Sequence, residues 1–560
     1  MRIYKTRADF TALQNAGSPG VFAGTVCTIT DEASNPMYVY QGGVWNSTVT
    51  STTNPLTGRI ELSSGKTGLG VGRESPPTLH LLGDSLTALN FTFSTVTAVS
   101  ISGTTMTITT SAEANGYAGG QFRIVNLTDS AGVRVDGNYE FASRASATSY
   151  TATIPAGFAS GACGLATCRL YNLQILSDNG PVNWMNILSG QKFDITNITA
   201  GHGWKLAEMY ANVSKVIASG EDYCAFLGGT NDYSLITDQT TYDNHMPGIK
   251  QALSDIIKAL ANAGITVQVF TTPPMASPAY NAYSAAAIIE GNKSIWALSR
   301  RFPKVIIVDA YGAIVDPMGA TKGSAKTGML QSDGLHWTQA GAYAIGKVGK
   351  LAVAHIPLVD TRITSNADNY TFSTNSTNIL DSAPWAATGG TVSAPVTNTA
   401  AAADWSYFRS GTITVAEATA PARSDGFGYD AKLSGTPTAA SDRLNLTTTT
   451  GAPNARLVAG QNYVADLSVA AAGLSGSNAS KVQHRIDGTI DGTAVVVASG
   501  LYGSNTTQAV EDWNGVIRTP KFKFNGAVTG NLVQTWVAWF SAAGTSMNIS
   551  AGRAAFNKIF

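Results

Sequence analysis

The chain has 560 residues, too many for one hydrophobic core, and this length points to three or four domains. Its 36 Lys+Arg balance 36 Asp+Glu, so no overall charge draws it to nucleic acid or to an anionic membrane. Only 13% of residues are charged while Gly, Ala, Ser and Thr abound, which suits β-rich extracellular or virion architecture better than a cytosolic helical enzyme.

In chain order, the start "MRIYKTRADFTALQNAG" lacks the apolar region of a signal peptide, so export by the general secretory route is not expected. No stretch is long and apolar enough to span a bilayer, and membrane insertion is not expected either. "PMYVYQGGVWN" alternates Tyr and Val on both sides of Gly42-Gly43 and reads as a hairpin within a small β-rich attachment or connector module, residues 1–75. From Thr78 strands alternate with helices. "TLHLL", "DYCAFLGG", "TVQVFTT" and "KVIIVDA" read as buried strands. "MPGIKQALSDIIKALANAG", with Pro247 near its start, "YSAAAIIEGNKSIWALSRRF" and "TQAGAYAIGKVGKLAVAH" read as helices. The alternation predicts an α/β domain with a parallel sheet flanked by helices, over residues 76–90 and 174–358.

Residues 91–173 interrupt that pattern with alternating Thr/Val/Ile strands and Gly/Asn turns, as expected of an inserted β-domain. Residues 359–560 lose all helical periodicity. "RLNLTTTT", "QNYVADLSVAA", "TAVVVASG" and "TWVAWFSAA" predict a C-terminal β-sandwich, whose Trp, Tyr, Asn and Thr would suit an accessory carbohydrate-binding role. Of Cys27, Cys163, Cys168 and Cys224, only Cys163 and Cys168 are close enough for a local disulfide; free thiols are the expectation, with that pair left open. No Cys/His cluster has zinc spacing, so no metal is expected.

Ester hydrolysis needs a nucleophile, a base within reach of it, an acid that orients the base, and donors aimed at the developing oxyanion. Ser85 follows "LHLL", "GGTND" follows "DYCAF", and "SDGLHW" sets Asp333 and His336 three residues apart before the last helix. All are placed at strand ends or in the loops beyond them, where open α/β sheets carry their sites. Taken singly, each has an ordinary alternative: a turn serine, an Asx-turn Asn231, a surface Asp333. Asp-x-x-His alone is nearly uninformative; joint occurrence in this order is what carries weight.

These blocks resemble the SGNH, or GDSL, family of serine esterases and lipases. Gly83-Asp84-Ser85-Leu86 is similar to its first block, Gly229-Thr230-Asn231-Asp232 to its third and Asp333-Gly334-Leu335-His336 to its last. Gly203 in "FDITNITAGHGWKLAEM" takes the second block's glycine, with Trp204 in place of the usual small polar residue. The resemblance covers less than half of the chain. It implies Ser85 as nucleophile, His336 as general base and Asp333 as its orienting acid. It also implies an oxyanion hole made by the N–H groups of Ser85 and Gly203 and the Asn231 amide, with no cofactor. Asp232 is expected to brace its loop. His80 is expected to pack in the core, and His202, Trp204 and Trp337 are candidates for substrate contact.

The layout of attachment module, esterase with β-insert and distal sandwich resembles phage tail fibres and tailspikes. That resemblance implies removal of O-acetyl groups from a bacterial capsule or O-antigen, tail or baseplate partners for the N-terminal module, a homotrimer, and a place on the virion. A secreted carbohydrate esterase acting on plant polysaccharide, and a receptor-binding tail protein without catalysis, are the alternatives.

Overall fold

In the computed structural model the described residues are 76–276, 280–319, 323–359, 405–414, 416–424, 428–448, 456–502 and 511–559, with short strands at 2–4, 26–29, 37–41, 44–49, 51–53, 60–62, 391–392 and 397–398. The chain divides into two compact units, Met1–Ser75 and Pro76–Phe560. In the first, Met37–Gln41 and Val44–Val49 pair antiparallel with Tyr40 opposite Trp45, as expected of the two hairpin strands; Gly42-Gly43 lie outside the described residues. The side chains of that unit lie outside the described residues.

The second unit is built on five parallel strands: β1 (Thr78–Gly83), β2 (Asp194–Ala200), β3 (Tyr223–Leu227), β4 (Thr266–Phe270) and β5 (Val305–Val308). Their order is β2-β1-β3-β4-β5, so β2 is an edge. Parallel strands covered on both faces read as continuous apolar runs, and Leu79, Leu81, Leu82, Ala225, Phe226, Val267 and Val269 are all buried. Within the first strand His80 is 1% exposed, with Nε2 2.9 Å from Thr199 Oγ1; it packs in the core, as expected.

Helices Pro181–Leu188 and Gln339–Ala352 pack so closely that side chains at Gly346 and Gly349 would strike Trp184 and Met185. Helix Ala282–Ser299 is capped by Asn281, which accepts from Tyr283 N and Ser284 N. The long helix is Gln239–Asn262, so Pro247 lies inside it and not near its start. The true start is Asp238, whose carboxylate accepts from Thr241 N at 2.8 Å while Asp238 N donates to Thr241 Oγ1. A proline deprives an interior turn of one hydrogen bond, and the buried face Met246, Ile249, Leu253, Ile256, Ile257 and Leu260 carries the helix through it.

After Ser85 the chain makes one helical turn, Ser85–Ala88, and leaves the α/β layer as strand Phe91–Ser102. The inserted strands bury their own core, including Val99, Ile101, Met106, Ile108, Phe122, Phe141 and Tyr150. Two expectations change here. Strand Arg169–Ser177 runs across the anticipated 173/174 boundary. It also pairs in parallel with Thr493–Tyr502, Ile175 opposite Ser499, so the insert and the C-terminal region share one thirteen-stranded sheet among the described residues. A six-stranded sheet packs on the C-terminal part of it, with Trp513 edge-on to Trp536 at 5.8 Å. Cys163, Cys168 and Cys224 are free thiols.

Candidate active site

Strand β1 ends at Gly83, where any side chain would collide with the Leu227 carbonyl and the Thr87 hydroxyl. Asp84 then caps the short helix by accepting from Leu86 N at 2.9 Å, which places Ser85 in the first helical position. The Ser85 hydroxyl lies 3.0 Å from His336 Nε2, and His336 Nδ1 lies 2.6 Å from Asp333 Oδ2. A carboxylate can only accept, so the Nδ1 proton sits toward Asp333 and Nε2 is left free to accept from Ser85.

Asp333 is held by its own turn. Its Oδ1 accepts from Leu335 N at 2.9 Å and His336 N at 3.0 Å, and Gly334 takes φ +65° to let the turn close. Partial burial works to raise the Asp333 carboxyl, but the bonds from His336 and from the Leu335 and His336 N–H groups outweigh it, and the group falls below its ordinary value. Ser85 is 6% exposed, while the Asp333 side chain is 46% exposed, so the chain of bonds runs from a recessed hydroxyl out to solvent.

The other strand ends meet this point. Beyond β2, Gly203 stands at φ +77° with nothing within 4 Å of where a Cβ would lie. Neither its N–H nor that of Ser85 has an acceptor among the described residues. Beyond β3, Gly229 (φ +96°) leads into the turn Thr230–Tyr233, from which Asn231 Nδ2 donates to Trp204 O at 2.8 Å. The amide has a second N–H left over. Asp232 Oδ2 accepts from Leu206 N at 3.0 Å and so braces the helix that follows Gly203; burial pushes its carboxyl up to about 6 against that bond. Of the candidates for substrate contact, His202 is brought beside His336, rings near parallel at 6.3 Å, and burial, then Arg169 and His336, lower its pKa and favour the neutral ring. Trp204 and Trp337, at 5% and 0% exposed, are packed into the core, against the expectation of open stacking platforms. Among the described residues no three His, Cys, Asp or Glu could hold a metal, and no helix is long and apolar enough to cross a membrane.

Two groups escaped the sequence reading. Arg123 and Asn126 of the insert bond the end of β2 and the loop that carries Gly203, across 77 and 76 positions of chain, and no local pattern signals such a contact. Asp84 is the other: it is 0% exposed, and burial pushes its carboxyl up to about 7 despite the Leu86 N–H and the Thr230 hydroxyl. A raised carboxyl stabilises the fold fully below the ordinary carboxylate range, and that contribution is lost as pH rises through about 7. Asp84→Asn keeps the Leu86 bond and cannot ionise. It is expected to melt above the wild type at about pH 8 and to converge with it near pH 4. Thermal unfolding at both pH values checks this; an equal gap at both would show that Asp84 is ionised throughout.

Residues 79–348 match the family described as GDSL-like Lipase/Acylhydrolase. No curated protein sequence matches the chain. Among solved structures it is similar to a GDSL-like lipase of Bacteroides thetaiotaomicron, at 17% identity over 29% of this chain and 76% of that one, TM-score 0.25. It is also similar to an acetylxylan esterase of Geobacillus stearothermophilus, at 13% identity over 32% and 82%, TM-score 0.26.

Proposed function

From the premise that residues 79–348 form a GDSL-type acylhydrolase domain, we propose that the protein is a serine esterase that removes O-acetyl groups from a bacterial surface polysaccharide, as part of a phage tail. The observation that carries the catalytic part is the unbroken chain Ser85–His336–Asp333 at the carboxyl edge of the parallel sheet. In this mechanism Ser85 Oγ attacks the ester carbonyl carbon as His336 Nε2 takes its proton. Asp333 supports the imidazolium, and the Ser85 and Gly203 N–H groups with the Asn231 amide receive the oxyanion. His336 then returns the proton to the departing sugar oxygen, leaving an acetyl-Ser85 ester. A water deprotonated by His336 cleaves that ester to acetate.

The polysaccharide part rests on the surroundings of the site. The exposed Gly203 and the exposed side of Asp333 suit a small acyl group on a large polymer, and two β-rich regions adjoin the α/β layer. The tail assignment, with residues 1–75 as attachment module and a homotrimeric assembly, rests on the domain layout.

Acetate release from a panel of acetylated bacterial surface polysaccharides tests substrate class, with p-nitrophenyl acetate as control for esterase competence. Release from a capsule or O-antigen supports the proposal. Release from acetylated xylan alone replaces it with a plant-polysaccharide esterase, and no turnover of either ester leaves a binding protein. Asn231→Ala is expected to lower kcat by about 10²–10³. A change confined to KM would remove Asn231 from the oxyanion hole.

A further inference from the structure

Strand β2 is an edge of the parallel sheet, and among the described residues its outer carbonyls have no strand to bond. Residues two apart on a strand present their carbonyls to the same side, and those of Ile198 and Ala200 are met by one side chain. Arg123, from insert strand Gln121–Val125, donates through Nε to Ala200 O at 3.0 Å and through a terminal nitrogen to Ile198 O at 3.3 Å and Asn138 Oδ1 at 3.1 Å. Asn138 in turn donates to Asn197 Oδ1 at 2.7 Å. The same guanidinium lies 5.7 Å from the centre of the Trp204 ring, and it is 6% exposed. One residue beyond that strand, Asn126 Nδ2 donates to His202 O at 3.3 Å. The insert therefore holds residues 197, 198, 200, 202 and 204, the run that surrounds and includes the approach to Gly203.

We infer that the inserted β-domain is a working part of the active site, with Arg123 and Asn126 as positioning residues that fix the Gly203 N–H for the oxyanion. The inference rests on the esterase reading above. A loop bearing a left-handed glycine with open space around it has many conformations to choose from, and a donor displaced by about an ångström loses most of its preference for the transition state. The guanidinium fork suits this role because it spans two carbonyls at once; a lysine ammonium would hold only one point.

The test is made on the full chain with p-nitrophenyl acetate, with each preparation titrated by a fluorophosphonate to count competent Ser85. Arg123→Ala is expected to lower kcat per titrated site about a hundredfold with KM within about threefold. Arg123→Lys is expected to recover part of that loss. Because Arg123 is buried and its removal can impair folding, Asn126→Ala, at a half-buried position, serves as the second variant, with kcat lowered on the order of tenfold. If kcat per titrated site stays at the wild-type level while the titre or melting temperature falls, both residues only hold the fold and the inference is overturned. A rise in KM alone overturns it too. Failure of the esterase reading shows differently, as a wild type that neither turns over the ester nor takes up the fluorophosphonate.

Discussion

Ser85→Ala is expected to lower kcat on p-nitrophenyl acetate by about five orders of magnitude while leaving the melting temperature within a degree or two of the wild type. The first half follows from chemistry. No other hydroxyl is bonded to His336 Nε2 among the described residues, so the variant keeps only what the oxyanion donors and water can achieve. The second half follows from packing. Leu86, Thr87 and Ala88 still bury the turn, and its cap comes from the Asp84 carboxylate. Steady-state kinetics at matched protein concentration and a thermal melt check both halves. A variant that keeps more than about a tenth of wild-type kcat would show that Ser85 is not the nucleophile.

His336→Ala should cost nearly as much, and the double variant Ser85→Ala/His336→Ala should cost no more than either single change. Nucleophile and base act as one unit: without Nε2 the hydroxyl keeps its proton, and without the hydroxyl the base has nothing to activate. The Ser85–His336 distance of 3.0 Å and the His336–Asp333 distance of 2.6 Å are what tie the two residues together. Measuring kcat for the three variants closes the cycle. Losses that multiply in the double variant would mean that the two residues act separately.

The three motifs that carry the proposed machinery were legible because each is a local event. An apolar run that ends in Gly-Asp-Ser, a glycine turn carrying Asn231 and an Asx turn between Asp333 and His336 are set by capping, by positive φ and by residues two or three apart. The start of the long helix was legible by the same logic, since Asp238 and Thr241 form a capping box, but the eye is drawn to Pro247. His202 was placed near the site only because it neighbours Gly203. Its side chain could as well have faced solvent.

By itself the sequence determined the strand–helix alternation, the inserted position of the β-rich block and the candidates for the reacting groups, because hydrophobic period and turn chemistry are properties of short segments. The tertiary structure decided the rest. It buried Trp204 and Trp337, joined the insert to the C-terminal strands through Ile175 and Ser499, and laid Arg123 along the open edge of β2. Those outcomes depend on which faces meet and in what register, over separations where only the burial of whole surfaces and the pairing of edge carbonyls select one arrangement.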